Sequence, residues 1–436
     1  MTPQSTFLIF APIAKGRVEE LRALLATMTL RPGLADPQNA LVPFGRFDRL
    51  HVARLLVVEV DTWRDIQTAY GTPAEQFPAH LAFLGDIDGD RESFLAQLVE
   101  LAGEGLRRIF SLCEGFRAED DLLGWMRSKN VEEAANYVNT RGRTVLQVHE
   151  EDRLRRALAA ELPAIVARIG EADGPRLHRE LVAFVADEQR SGRLALTPEA
   201  PTPLGRRISG AADLIGVPLV LLMLSPVTVL AFPFLLLRLR QLERSDPEVL
   251  PRPDDTRLAW IAEFEDHDVT NPFSAAGDLK PGLFRRSATA FFLFLLGWSA
   301  RHVFGRGYLT RVQSIHFARW VFFDKRRRVL FFSNYDGSLE SYMDDFINKV
   351  AWGLNLVFSN GVGYPSTRFL LKGGAEQEAK FKRYLRNRHQ ATDVWYKAYP
   401  GLAAFDLAEN TRVRRGLEKR PVGARALRHW LAGIRR

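Results

Sequence analysis

The sequence predicts an α+β chain: two fused βαββαβ repeats packed sheet to sheet, with an apolar insert between them. Three observations carry this. The segment Asp88–Phe116 recurs without a gap at Asp336–Tyr364, a constant offset of 248. Hydrophobic spacing gives both halves the same order of strands and helices. A run of 24 uncharged residues, Leu214–Leu237, separates the halves.

The repeat rests on identities such as Asp88/Asp336, Gly89/Gly337, Glu92/Glu340, Gly105/Gly353, Phe110/Phe358 and Gly115/Gly363. Upstream, Leu50–Arg54 answers Ile315–Arg319 at an offset of 265, which leaves an insertion around Thr62–Pro78 in the first copy. In that copy the pattern predicts strands at Phe7–Ala14, His51–Val60 and His80–Leu84, with helices over Val18–Met28 and Arg91–Leu112. The second copy is predicted as strands at Leu258–Phe264, Ser314–Phe323 and Val329–Asn334, with helices over Leu283–Phe304 and Leu339–Phe358. A further strand is expected near Arg368–Leu371, followed by helices at Glu376–Arg388 and Leu402–Glu418. Val131–Asn139 and Asp152–Ile169 are their counterparts in the first copy.

That order is the ferredoxin-like unit, and two such units can bury each other's open sheet face. The expected division is a first repeat over 1–175, a linker helix and apolar insert over 176–250, a second repeat over 251–420 and a basic amphipathic tail over 421–436. Paired units of this kind resemble the dimeric α/β-barrel superfamily, which includes dye-decolorising peroxidases and chlorite dismutases. The resemblance covers Phe7–Ile169 and Leu258–Glu418. Gly85-Asp86-Ile87-Asp88-Gly89 is similar to the G-x-x-D-G motif of dye-decolorising peroxidases, whose Asp works on the distal side of heme. Ser333–Gly337 lacks the first Gly. The resemblance implies heme as a cofactor, with His149 or His389 offered as its axial ligand. The IHFARW and SNYDGS segments are also similar to a bacterial membrane-associated family to which no activity is attached.

Charge narrows the partners. The chain has 436 residues and a formal net charge of +8, and its last 26 residues carry that whole excess. No nucleic-acid-binding signature accompanies the basic residues, so nucleic acid is not expected as a partner. A single cysteine, Cys113, excludes a disulfide framework and a Cys-rich zinc module.

The apolar run is long enough to span a bilayer core, yet Pro218, Pro226 and Pro233 break it. One crossing would leave the two repeats on opposite sides of the membrane, unable to share a core. A second run, Ser287–Ala300, is too short to bring the chain back. Both are therefore expected to dip into one leaflet, with Arg206, Arg207, Arg238, Arg240, Arg244, Arg285, Arg286, Arg301 and His302 at its surface. The expected lipid-facing residues are Leu219, Leu222, Leu230, Phe232, Phe234, Phe291, Phe294 and Trp298, with Trp430 from the basic tail. With no secretory pattern at the start, the expected location is the cytoplasmic face of the inner membrane.

Both copies carry an H-x-A-R element, ending in Arg54 and Arg319. On a regular strand His316 and Arg319 point to opposite faces, so they converge only across a bulge. The second copy is the more polar, and its predicted site uses His316, Asn334, Asp336 and Asn360 for acid–base or ligand chemistry. A structural role in turns and caps competes with that reading. Glu265–Asp268 alternate across a strand and are not expected to hold a metal. Two functions stay open: peroxidase-like oxidation or other chemistry on a hydrophobic or lipid substrate at the bilayer, and non-catalytic lipid binding or scaffolding.

Overall fold

A computed structural model describes residues 2–170, 174–304, 312–419 and 423–435. Arg420 and Arg436 of the basic tail lie outside them. The chain is mixed α+β. The first half runs β1 (Gln4–Pro12), α1 (Val18–Ala26), β2 (Thr29–Arg31), β3 (Gly33–Ala35), β4 (Leu50–Val58), α2 (Trp63–Tyr70), β5 (His80–Asp88), α3 (Arg91–Phe110), α4 (Leu122–Lys129), β6 (Ala135–Val138) and α5 (Val145–Ile169). Then come α6 (Gly174–Arg190), α7 (Leu204–Met223), α8 (Ser225–Ser245) and α9 (Asp255–Ala262). The second half runs β7 (Thr270–Asp278), α10 (Leu283–His302), β8 (Ile315–Phe323), β9 (Arg328–Asp336), α11 (Leu339–Phe358), the small ribbon β10 (Thr367–Arg368) and β11 (Lys372–Gly373), α12 (Glu378–Arg388), β12 (Val394–Lys397), α13 (Ala404–Glu418) and α14 (Ala424–Ile434).

Two main sheets form, in the orders β1-β5-β4-β12-β3-β2 and β6-β8-β9-β7. The short last strand of each half crosses to the other half's sheet. β12 pairs antiparallel with β4, and β6 with β8. Period-two alternation gives each strand two apolar faces. One face packs sheet against sheet, bringing Leu8, Phe10 and Leu56 together with Val321, Phe323 and Phe332. The other lies under helices, as Phe7 and Leu55 do beneath Leu98 of α3, and Phe331 does beneath Phe346 of α11.

Two predicted strands fall elsewhere. Leu258–Phe264 is not a strand: Asp254 accepts a hydrogen bond from the Thr256 amide at 2.9 Å and caps α9 there. The strand is Thr270–Asp278, poor in β-branched residues, and Pro272 is tolerated because β7 lies at a sheet edge. The strand expected near Arg368–Leu371 is only the β10–β11 ribbon, while β12 takes its place in a main sheet.

The insert forms α7 and α8, which bend by 66° at Leu224. Pro226, at the start of α8, supplies no N–H and disfavours helical geometry just before it. No single described helix is long and apolar enough to cross a membrane. No residue from Leu204 to Arg238 is buried. The body holds both ends of this elbow. At the entry, Asp213 meets Arg301 and His302, and its carbonyl accepts the Trp298 indole N–H at 3.1 Å. At the exit, the buried Glu243 carboxylate accepts the amides of Phe369 and Leu370, both at 2.9 Å, and Asp246 pairs with Lys280 and Arg285.

The tail departs from expectation. Leu427, Trp430, Leu431 and Ile434 of α14 pack onto α5, α6 and α13. Trp430 is 2% exposed and donates its indole N–H to the Val413 carbonyl at 2.9 Å. It is a core residue and does not face lipid, because the bundle offers its ring an apolar slot and an acceptor.

Candidate functional site

The repeated His and Asp meet in both halves. His51 Nε2 lies 3.0 Å from Asp88 Oδ1, and His316 Nε2 lies 2.6 Å from Asp336 Oδ1. Each histidine occupies a register shift, between Leu50 and Val52 in β4 and between Ile315 and Phe317 in β8. The bulges turn both rings toward the Asp that ends the neighbouring strand.

The second oxygen of each carboxylate is also used. Asp88 Oδ2 accepts the Val145 amide at 2.8 Å, and Asp336 Oδ2 accepts the Ala404 amide at 2.7 Å. Val145 and Ala404 are the first residues of α5 and α13, so the aspartates satisfy distant helix N-termini. The helices that directly follow them are capped by Asp90 and Ser338 instead.

Around His316 the second half adds two groups. Lys397 Nζ donates to Thr270 Oγ1 and to the Leu402 carbonyl, both at 2.6 Å, and Thr270 Oγ1 donates to Asp336 at 2.6 Å. In the first half, Gln4 occupies the position across the sheet from Asp88, as Thr270 does from Asp336. Burial lowers the pKa of His316 from its ordinary value and lowers that of Lys397 to about 8. Burial works against ionised Asp336, but the His316 and Thr270 hydrogen bonds outweigh it and hold the carboxyl below its usual range.

Deeper between the sheets, the two arginines of the H-x-A-R elements cross. Arg54 donates to the carbonyls of Phe273 and Ser333, at 3.0 and 2.9 Å, and to the Asn334 side chain. Arg319 donates to the matching carbonyls of Phe7 and Gly85, both at 3.0 Å, and ion-pairs with Asp86. Burial and the neighbouring Arg319 lower the pKa of Arg54, while burial holds Asp86 above its ordinary value despite Arg319.

Of the predicted site, His316 and Asp336 bond directly, while Asn334 is engaged by Arg54. Asn360 does not join them. Its side chain accepts from Arg285 at 3.1 Å and its carbonyl from the Lys280 amide at 2.7 Å, at the opposite end of β7. A nine-residue strand puts those ends about 26 Å apart. Thr270 and Lys397 were missed; the offset of 259 that carries Ala135 to Val394 would have found β12 and with it Lys397.

The chemistry open to this seam is limited by access. His51, His316 and Thr270 are at most 2% exposed. Clefts of about 770 Å³ between α13 and α14 and about 620 Å³ at the start of α10 lie elsewhere. The residues do not fit a heme either. Both Asp88 oxygens are engaged, His389 is buried with its ring against Phe273, and His149 packs its ring against Tyr399. Among the described residues, no group of three or more His, Cys, Asp or Glu could hold a metal ion. No protein-family model, curated protein or solved structure matches the chain.

Proposed function

We propose that this is a monotopic membrane protein: two fused ferredoxin-like repeats, clasped by exchanged strands, form a rigid lipid-binding platform attached to one leaflet. The observation that carries this reading is the uncharged elbow standing exposed on the body, with Leu222 67%, Leu230 75% and Phe234 73% exposed. Soluble monomers rarely leave so long an apolar surface uncovered. Phe291 and Phe294 of α10, 47% and 44% exposed, extend the apolar surface beyond the elbow.

Geometry favours a dip over a crossing. At 1.5 Å per residue, the arms from Asp213 to Leu224 and from Leu224 to Arg238 are about 16 and 21 Å long. Bent by 66° and pointed straight down, they reach about 10 Å below their charged ends, less than the roughly 15 Å of one leaflet's hydrocarbon. Arg206, Arg207, Arg238 and Arg244 then sit among headgroups, which suits the anionic cytoplasmic leaflet.

A binding role is favoured over chemistry because the His–Asp pairs are buried and cap helices. The test is flotation of the purified chain with liposomes, beside a variant whose Leu214–Leu237 is replaced by a Gly/Ser linker of equal length. The intact chain should float and the variant should remain below. Equal flotation of the two would overturn the reading.

A further inference from the structure

The cleft at the start of α10 has a composition that the platform does not require. Its volume is about 620 Å³, within the range of small-molecule sites. The first half supplies one wall, the Thr72–Pro78 loop, and the second half supplies Lys280, Arg286, Arg327 and Arg328.

Two of these cations are neutralised. Lys280 Nζ lies 2.9 Å from Asp246, and Arg328 Nε lies 2.7 Å from Asp278, with Asp324 on its other side. Arg286 and Arg327 make no side-chain hydrogen bond or ion pair among the described residues. The cleft therefore holds two guanidinium forks free for a ligand, and such forks match phosphate oxygens. The hairpin presenting Arg327 holds Asp324, Lys325 and Arg326 at φ of 46°, 53° and 61°, a costly left-handed run for non-glycine residues.

Its position fits a lipid. Leu283, 74% exposed, starts α10 beside the cleft, and Asp246 at the exit of the elbow grips Lys280 on its wall. The cleft thus lies where the elbow leaves the body, at the depth of the headgroups if the elbow is immersed. Glu75, an exposed carboxylate on the facing loop, can accept from a headgroup hydroxyl or ammonium.

We propose that this cleft binds a phospholipid headgroup, with Arg286 and Arg327 on the phosphodiester and Glu75 on a donor-bearing group such as glycerol. The inference rests on the one-leaflet attachment proposed above. The experiment measures binding of the full chain to vesicles of phosphatidylcholine alone and of phosphatidylcholine mixed with phosphatidylglycerol. The unaltered chain should bind the mixed vesicles about tenfold more tightly. R286Q/R327Q should keep its binding to phosphatidylcholine and lose most of that preference. R153Q/R179Q, exposed on α5 and α6 and outside the cleft, should keep most of it. An unchanged preference in R286Q/R327Q, or equal losses in the two variants, would overturn the cleft and leave only a diffuse basic surface. Failure of the unaltered chain to bind either vesicle would overturn the attachment and the cleft together.

Discussion

Arg319 ion-pairs with Asp86 at 2.6 Å between the two sheets, where both side chains are nearly inaccessible to water. Its counterpart Arg54 donates to carbonyls, the Ser274 hydroxyl and the Asn334 amide, and pairs with no carboxylate among the described residues. One carboxylate therefore serves a neighbourhood of two buried guanidinium groups. Asp86→Asn should cost about 3–5 kcal/mol, because it strands buried positive charge. Asn334→Asp adds a counter-charge beside Arg54 and should cost clearly less. Urea unfolding of both variants measures this, and equal losses would show that the charges do not matter.

Acid should weaken the fold partly through His80. Its ring stacks between Phe10 and Phe77, with centroids 4.4 Å from each, and burial pulls its pKa down to about 4. An unfolded histidine titrates near 6.5, so between these values the unfolded chain binds the extra proton. The contribution of His80 is complete above about pH 6.5 and falls as pH drops toward 4, by up to about 3 kcal/mol. His80→Phe keeps the stacking and should flatten the stability profile across that window. An unaltered slope in urea midpoints against pH would rule His80 out.

The elbow makes a separable claim about affinity and stability. Leu230 is 75% exposed and touches little of the body. Leu230→Arg should leave the melting temperature unchanged and weaken vesicle binding at least about tenfold, since a buried charge in lipid costs a few kcal/mol. Unchanged vesicle affinity would place Leu230 outside the bilayer.

Trp430 calls for the opposite pattern. A Cβ on Gly416 would approach the Trp430 indole nitrogen to 2.1 Å. Gly416→Ala should therefore displace the ring at about 1–3 kcal/mol, and Trp430→Ala should cost about 3–5 kcal/mol. Vesicle binding by the folded fraction should not change in either variant. Weaker vesicle binding at full stability would restore Trp430 to the lipid-facing set.

The elements that could be read from the sequence share one property: their side chains alternate or recur strongly enough to mark a face. The strands around His51 and His316 and the helices α3 and α11 are of this kind, and the Asp88–Phe116 repeat fixes their equivalence. β7 escaped notice because Thr270–Asp278 is built from small residues, Pro and Asn, and its register comes from β9. α9 imitated a strand because Leu258–Phe264 is apolar and its cap lies outside that window. For the site, the polar character of the second copy grouped His316 with Asp336, but spacing alone could not give the direct His–Asp bond of either half, since both bonds depend on a bulge. The Val145 and Ala404 amides that hold the carboxylates are backbone groups, which residue identity does not mark.

The crossing of β6 and β12 has a consequence for how the chain can be divided. A cut in the linker would not release two independent halves. The first fragment would keep β6 with no strand beside it, and the second would keep β12 in the same condition, each the missing piece of the other's sheet. The fragments would be partners by construction, and recovery of structure on mixing would behave as a bimolecular association. Continuity of the chain supplies proximity here, and mutual lending of strands makes the two halves one cooperative body.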